Sequence, residues 1–206
     1  MMLVFTCLLF AGLGAVGWSF TEYAMHHWNG HLMRGKTRFS REHLAHHTKQ
    51  DYFAPLHHKV IIAVVVTGAI AAIASWLAGP GPGIAFAVGF GGTYLGYEIL
   101  HYRIHFYPPR GPFGRWARKH HFSHHFNSAK RNHGVTSPVW DRVFGTYTAY
   151  DTVRVPRKLA MRWLIDPATD ECHEAYRADY TLIGRRRPEA ISEASKVISR
   201  AEPSRA

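Results

Sequence analysis

Sixteen histidines occur in 206 residues, and ten fall in four spaced groups: His26 and His31; His43, His46 and His47; His101 and His105; His121, His124 and His125. Neutral imidazole is the commonest side-chain ligand of transition metals. On an α-helix, residues three and four apart share a face. His43-x-x-His46-His47 and His121-x-x-His124-His125 are therefore each read as aiming three rings one way, and His101-x-x-x-His105 as aiming two. Ten nitrogens serve two metal ions with about five each, the ligand count of a dinuclear metal enzyme. His26 and His31 lie about 140° apart on a regular helix, so that pair needs a helix end, a distortion or ligation of different metals. His27 aligns better with His31 and stays a rival to His26 on geometry alone.

The histidine excess runs from Met25 to His133 instead of forming one tract, which excludes a tag or a contiguous metal-binding tail. Unpaired imidazoles beside a bilayer are costly, and coordination removes that cost. Glu22 lies four residues before His26 and Glu98 three before His101. Each is placed to accept the distal ring N–H of a ligand and fix its tautomer. His57 and His58 read as interfacial side chains and His173 as a bystander, while His120 and His133 stay unassigned. Cys7 and Cys172 form no C-x-x-C or zinc-finger spacing, so neither a disulfide framework nor a thiolate site is expected.

Three apolar segments must position these groups. Met1 to Phe20 reads as a membrane anchor, with no basic region before it and no small-residue cleavage site after it. Val60 to Ala78 is uncharged and long enough to span a hydrocarbon core of about 30 Å. Gly79-Pro80-Gly81-Pro82-Gly83 should break the helix, and Ile84 to Leu100 returns as a third segment whose Gly89, Gly91, Gly92 and Gly96 suit close helix approach. Leu32 to Lys59 carries six Lys/Arg against two acids, and His101 to Arg131 seven against none. Both basic segments are then cytoplasmic, with the hairpin tip and the N-terminus outside, and all four histidine groups meet at one membrane face. The net charge of +11 fits orientation and contact with anionic lipid. No nucleic-acid motif accompanies it.

The expected fold is all-α and multi-pass, with about three transmembrane helices and a cytoplasmic helical cap holding the dimetal site. Residues 1–150 form the membrane-embedded unit. Residues 151–206 form a polar tail, with an amphipathic helix around Arg162 to Tyr180 and disorder from Gly184 onward. No Gly-x-Gly-x-x-Gly fingerprint and no haem or iron–sulfur ligand pattern is present, so redox chemistry here needs a separate electron donor.

The boxes, in this order and with an apolar hairpin between the second and third, resemble the fatty acid hydroxylase superfamily. That integral-membrane group includes sphingolipid fatty acid 2-hydroxylases, sterol methyl oxidases and sterol desaturases. Glu22-Tyr23-x-x-His26-x-x-x-x-His31 is similar to its first box, which favours His26 over His27. The run from Asn132 to Tyr147, NHGVTSPVWDRVFGTY, is similar to the segment after its last box. The resemblance implies two iron ions held by the ten histidines, replaceable by zinc on isolation, and O2 as co-substrate. It further implies insertion of oxygen into a lipid C–H bond, with a fatty acyl chain or sterol-like molecule as substrate. Electrons would come from a ferredoxin or from cytochrome b5 with its reductase, drawn to the basic surface. Trp140 and Asp141 would brace the cap over the metals.

Lipid or sterol desaturation by the same centre is the alternative, and carotenoid hydroxylation a second. The third box, His101-x-x-x-His105, is shorter than in the carotenoid hydroxylases of the family, and His133 stands where an aromatic residue is expected. A membrane metal-binding or transport protein is the non-enzyme alternative. Against it, the histidines gather at one face and the spans lack ionisable residues at mid-depth.

Overall fold

The computed structural model describes residues 1–185. The expectation of disorder near the C-terminus lies outside the described residues from position 186 on. The elements are α1 (Met2–Ala24), running directly into a π-helical segment Met25–Leu32, then α2 (Arg38–Thr48), α3 (Leu56–Ala78), α4 (Pro80–Phe106), α5 (Gly111–Phe126) and α6 (Val139–Val143). Four short strands follow: β1 (Val153–Pro156), β2 (Ile165–Asp166), β3 (Glu171–Cys172) and β4 (Tyr180–Ile183).

Among the described residues, Met2–Leu32 and Leu56–Ala78 are long and apolar enough to cross a bilayer. α3 buries none of its residues, and Ile61, Val65, Ile73 and Trp76 stand exposed along it. Such an apolar surface is stable in lipid or against a partner, not in water. The third apolar segment lies within α4, where glycines dilute the hydropathy. α4 packs on both α1 and α3. A Cβ at Gly89 would lie 2.0 Å from the Ala11 carbonyl oxygen, and one at Gly14 2.1 Å from that of Phe86, so α1 and α4 meet backbone to backbone. Gly91 faces Thr67 of α3, whereas Gly92 and Gly96 face open space, so two of the four glycines expected to mediate packing do so.

The helix break is shorter than its composition suggests. Gly79 alone leaves the helix, at φ +87°, and Pro80 already begins α4. A proline in a first turn has no intrahelical bond to lose. At the other end of α4 the buried Arg118 of α5 donates to the carbonyls of Arg103 (2.8 Å), Tyr107 (2.9 Å) and Gly114 (2.9 Å). It thereby satisfies carbonyls at the α4 C-terminus, where the helix dipole favours a cation. This clamp sets α5 against the last turns of α4.

The amphipathic helix expected over Arg162 to Tyr180 is not formed. β1 pairs in parallel with β4 (Val153 opposite Tyr180), and β2 pairs antiparallel with β3 (Ile165 opposite Cys172). Pro167 interrupts any helix there, Asp166 accepts the Ala168 amide in a turn, and Asp170 adopts φ +53°. Val153, Val155, Met161, Leu164, Cys172 and Tyr180 share one core with Ile104 of α4 and with Ala117 and Phe122 of α5. The strands thus back the helices that carry the last two histidine boxes.

Candidate metal centre

Ten imidazoles converge in two groups of five. His26, His31, His43, His47 and His124 form the first, and His46, His101, His105, His121 and His125 the second; within each group the candidate ligand nitrogens all lie within 4.8 Å of one another. The π-helical segment solves the alignment of the first box. Its i to i+5 bonding brings residues five apart over one another, and the rings of His26 and His31 stand 5.4 Å apart. Gly30 in that segment lets α2 approach, since a Cβ there would lie 2.9 Å from the His43 ring.

The two triplets do not point one way as read from the sequence. In each, the outer pair at i and i+4 joins one group and the middle histidine the other: His43 and His47 against His46, and His121 and His125 against His124. The i+3 position is turned about 80° from the middle of the i, i+4 stripe, enough to reach the neighbouring group. The groups abut where His47 stacks on His125, ring centroids 4.0 Å apart.

The first group is ordered beyond mere proximity. The Nε2 atoms of His31, His43, His47 and His124 close a ring with sides of 2.9, 3.1, 3.2 and 2.9 Å. A square of that side has its corners about 2.1 Å from its centre, the usual metal–imidazole distance. Hydrogen bonds cannot account for it. Each neutral ring carries a single N–H, and that of His124 is engaged at Nδ1, which donates to the Arg131 carbonyl at 2.7 Å. His26 Nε2 is buried without a partner, while its Nδ1 donates to the His133 carbonyl. In the second group, His46 and His101 approach to 3.1 Å and His105 and His121 to 2.9 Å, again Nε2 to Nε2. His46 Nδ1 donates to the Tyr52 carbonyl at 2.8 Å.

Lone pairs aimed at a common point repel unless a cation sits there, so both donor sets fit a transition metal ion; iron, zinc, copper and nickel all accept imidazole. Burial holds the rings neutral and ready to ligate. It lowers His47 to about 2, with His31 and His46 adding to the effect, and lowers His46 to about 4. Burial likewise leaves His43, His121, His124 and His125 well below the ordinary histidine value.

The carboxylates act differently from expectation. Glu22 meets no ring nitrogen; it accepts the amides of Val135 (2.6 Å) and Thr136 (3.0 Å) and the Thr136 hydroxyl (2.6 Å). Asp141 accepts the amides of His133 and Gly134, each at 2.8 Å, and the Thr146 hydroxyl at 2.7 Å. Together they fix the loop whose carbonyl at His133 orients His26. Glu98 pairs with Lys59 at 2.6 Å instead of with a histidine, because Lys59 projects from the facing first turn of α3.

The remaining histidines divide cleanly. His27 is in neither group; its Nδ1 is hydrogen-bonded to the Tyr23 hydroxyl at 3.0 Å. His120 lies 3.4 Å from Asp141, and His58 accepts from Arg38 at 2.8 Å. His173 caps a short turn by accepting the Ala175 amide. His133 is buried beside the first group. We therefore expect His27→Ala to retain the same metal content as the unaltered chain while His26→Ala loses an ion; elemental analysis of the two purified variants checks this.

A cavity of about 450 Å³ opens onto both groups, touching His26 and His43 of the first and His46 and His101 of the second. Trp18, Ile62, Val66 and Phe90 wall it, and Arg38, Glu42, His58 and Lys59 line a polar end.

The fatty acid hydroxylase family model matches residues 11–146. Two dihydroceramide fatty acyl 2-hydroxylases of Arabidopsis thaliana are 31% and 29% identical, over 71% and 67% of this chain and 62% and 60% of their own lengths. The ceramide very long chain fatty acid hydroxylase of Saccharomyces cerevisiae is 28% identical over 72% of this chain and 40% of its own. The chain thus spans less than two thirds of these relatives. A solved structure described as full-length scs7p, only the hydroxylase domain visible, aligns with a TM-score of 0.58 at 26% identity, covering 71% of this chain and 57% of that one.

Proposed function

The chain belongs to the fatty acid hydroxylase family, and from that premise we propose that it is an O2-dependent di-iron membrane oxidase that hydroxylates a C–H bond of a lipid. One observation carries the reading: a single apolar cavity with a polar end reaches both five-histidine groups. An amphiphile fits those walls, its chain between Trp18, Ile62 and Phe90 and its polar part near Arg38 and Lys59. When bound, the iron pair supplies O2 activation and the oxidising power to break an unactivated C–H bond.

The chain's own residues do the rest. Carbonyls of Tyr52, Arg131 and His133 hold three imidazoles in the Nε2-inward tautomer. The apolar walls seat the substrate and exclude bulk water. Hydroxylation consumes O2, two electrons and two protons for each C–H bond and releases one water. The electrons enter from a separate carrier, such as a ferredoxin or cytochrome b5 with its reductase. The loop at Lys130 and Arg131 suits an acidic carrier: both residues are exposed, and the Arg131 carbonyl is one hydrogen bond from His124.

We assign the chemistry to residues 1–150, with α1, α3 and α4 as three membrane crossings and the metal groups at the cytoplasmic face. Topology tests the orientation. In a chain with Cys7 and Cys172 replaced by serine, Gly81→Cys should react with an impermeant thiol reagent from the non-cytoplasmic side and Lys130→Cys from the cytoplasmic side. The reverse pattern would overturn the charge argument. Lipid profiling under labelled O2, with and without the protein, tests the reaction. A lipid gaining one labelled oxygen supports hydroxylation. Loss of two hydrogens without label points to desaturation by the same centre, and no change in any lipid counts against both.

A further inference from the structure

A groove of about 1220 Å³ runs between α3 and α4, walled by exposed apolar residues such as Val64, Val88 and Leu95. It is larger than the cavity at the histidine groups, yet the two meet. Phe53, Lys59, Ala63, Thr67, Tyr94 and Glu98 are among the residues that line both. The groove thus faces whatever surrounds α3, the cavity faces the imidazoles, and these side chains form the partition.

Lys59 of α3 donates to Glu98 of α4 at 2.6 Å, tying the two helices across the partition. The two side chains keep 21% and 22% of their surface exposed, and an ion pair that solvent or head groups still reach is weakly held. Lys59 also stands 5.1 Å over the Phe53 ring. That ring packs in turn against His46, His101 and His105 of the second group, with centroids 4.9, 5.2 and 5.5 Å away. Phe53 lies in the non-helical link between α2 and α3, and loop positions absorb conformational change that a helix interior does not.

We propose that the groove is a lipid-entry site: it takes an acyl chain from the surrounding bilayer and passes it to the histidine groups through an opening that Phe53 and the Lys59–Glu98 pair close. The inference rests on reading α3 and α4 as membrane crossings and the cavity as the place where lipid reacts. The groove is continuous with α3, which buries none of its residues. Its charged lining residues, Lys59, Glu98 and Arg103, sit at the α3 start and the α4 end, and the rest of its length is largely apolar. An acyl chain lies along that length with its polar head at the charged end. The cavity has its polar end at Lys59 too, so the lipid moves sideways in one orientation. No methylene has to be transferred to water on the way.

Stearic acid carrying a diazirine near its chain end is the probe. It is added to the full chain in phosphatidylcholine vesicles, flashed after increasing delays, and the adducts are located by mass spectrometry. Adducts at Val88 or Leu95 report the groove, and adducts at Trp18 or Phe90 report the cavity. Groove adducts should come first and cavity adducts later. Gly92 lines the groove with open space around it, so Gly92→Trp fills the entry site without disturbing the helix contact; it should slow the cavity adducts about tenfold at unchanged final extent and metal content. Val88→Trp is the second variant for the same effect. Lys59→Met should speed them about 2- to 5-fold, the range for a partly exposed pair. Cavity adducts that rise at the unaltered rate in both tryptophan variants overturn the entry site, and a Lys59→Met chain no faster than the unaltered one reduces the pair to a helix tie and overturns the closure. A groove free of adducts in protein that runs as a dimer seats a second copy there and also overturns the proposal. Adducts in the expected order in protein that oxidises no lipid would retire the hydroxylase reading and leave the entry site standing.

Discussion

His124→Ala should lose one metal ion per chain together with lipid oxidation, and His46→Ala should lose the other ion. His124 is fully buried and supplies a corner of the first group, its Nε2 standing 2.9 Å from that of His31 and 3.2 Å from that of His47. Removing it leaves four nitrogens where the fold provides five. Even a residue that only supports a ligand costs 10–100-fold in affinity or activity, so losing the ligand itself should cost more than about 100-fold. His46 lies between His43 and His47 in the sequence yet belongs with His101 and His105. The double variant His46→Ala/His101→Ala should therefore lose no more metal than either single change, whereas His46→Ala/His124→Ala should lose both ions. If removing His43 and His46 together empties only one site, the crossed assignment is wrong and each triplet serves a single ion.

Asp141→Ala carries the second large effect, though Asp141 touches neither group. It is fully buried and accepts the amides of His133 and Gly134 and the Thr146 hydroxyl. Stripping the acceptor leaves the buried amides of His133 and Gly134 unpaired and takes from the Thr146 hydroxyl its shorter acceptor, a loss of about 3–5 kcal/mol. The loop that orients His26 is released with it, so the first ion should go as well. Asp141→Asn keeps one carbonyl oxygen and should cost about 1–2 kcal/mol.

Burial alone would raise this carboxyl's pKa. Hydrogen bonds from His120, Thr146 and the amides of Gly134 and His133 outweigh that and hold it below the ordinary 3.8. Its stabilisation is therefore complete above that pH and is lost as the pH falls through the depressed value of the folded state. Denaturation midpoints of the unaltered and Asn chains should converge toward acid. Midpoints that stay parallel down to pH 3 or so would remove Asp141 from this role.

What the sequence made legible was periodic. Helical spacing located the second, third and fourth boxes, and charge-free runs located α3 and most of α1 and α4, because both signals repeat over many residues. The first box resisted: the five-position step from His26 to His31 read as misalignment until a π-helical turn supplied the rotation, and such turns carry no composition signal. The acceptors that aim the rings were also invisible. Tyr52, Arg131 and His133 act through backbone carbonyls, which every residue possesses. Glu22 was read at the end of an apolar segment as a partner for a ligand ring, but its amide partner Val135 lies 113 residues further along the chain, beyond any local pattern. The C-terminal strands are two to four residues long, too short for alternation to stand out from a polar background, even though Val153 and Val155 show it.

The central claim is that ten imidazoles hold two metal ions, and elemental analysis of the purified, folded chain tests it most directly. Two transition metal ions per chain are expected, iron in active protein and zinc where it has displaced iron. A folded sample carrying one ion, or none, would contradict the account.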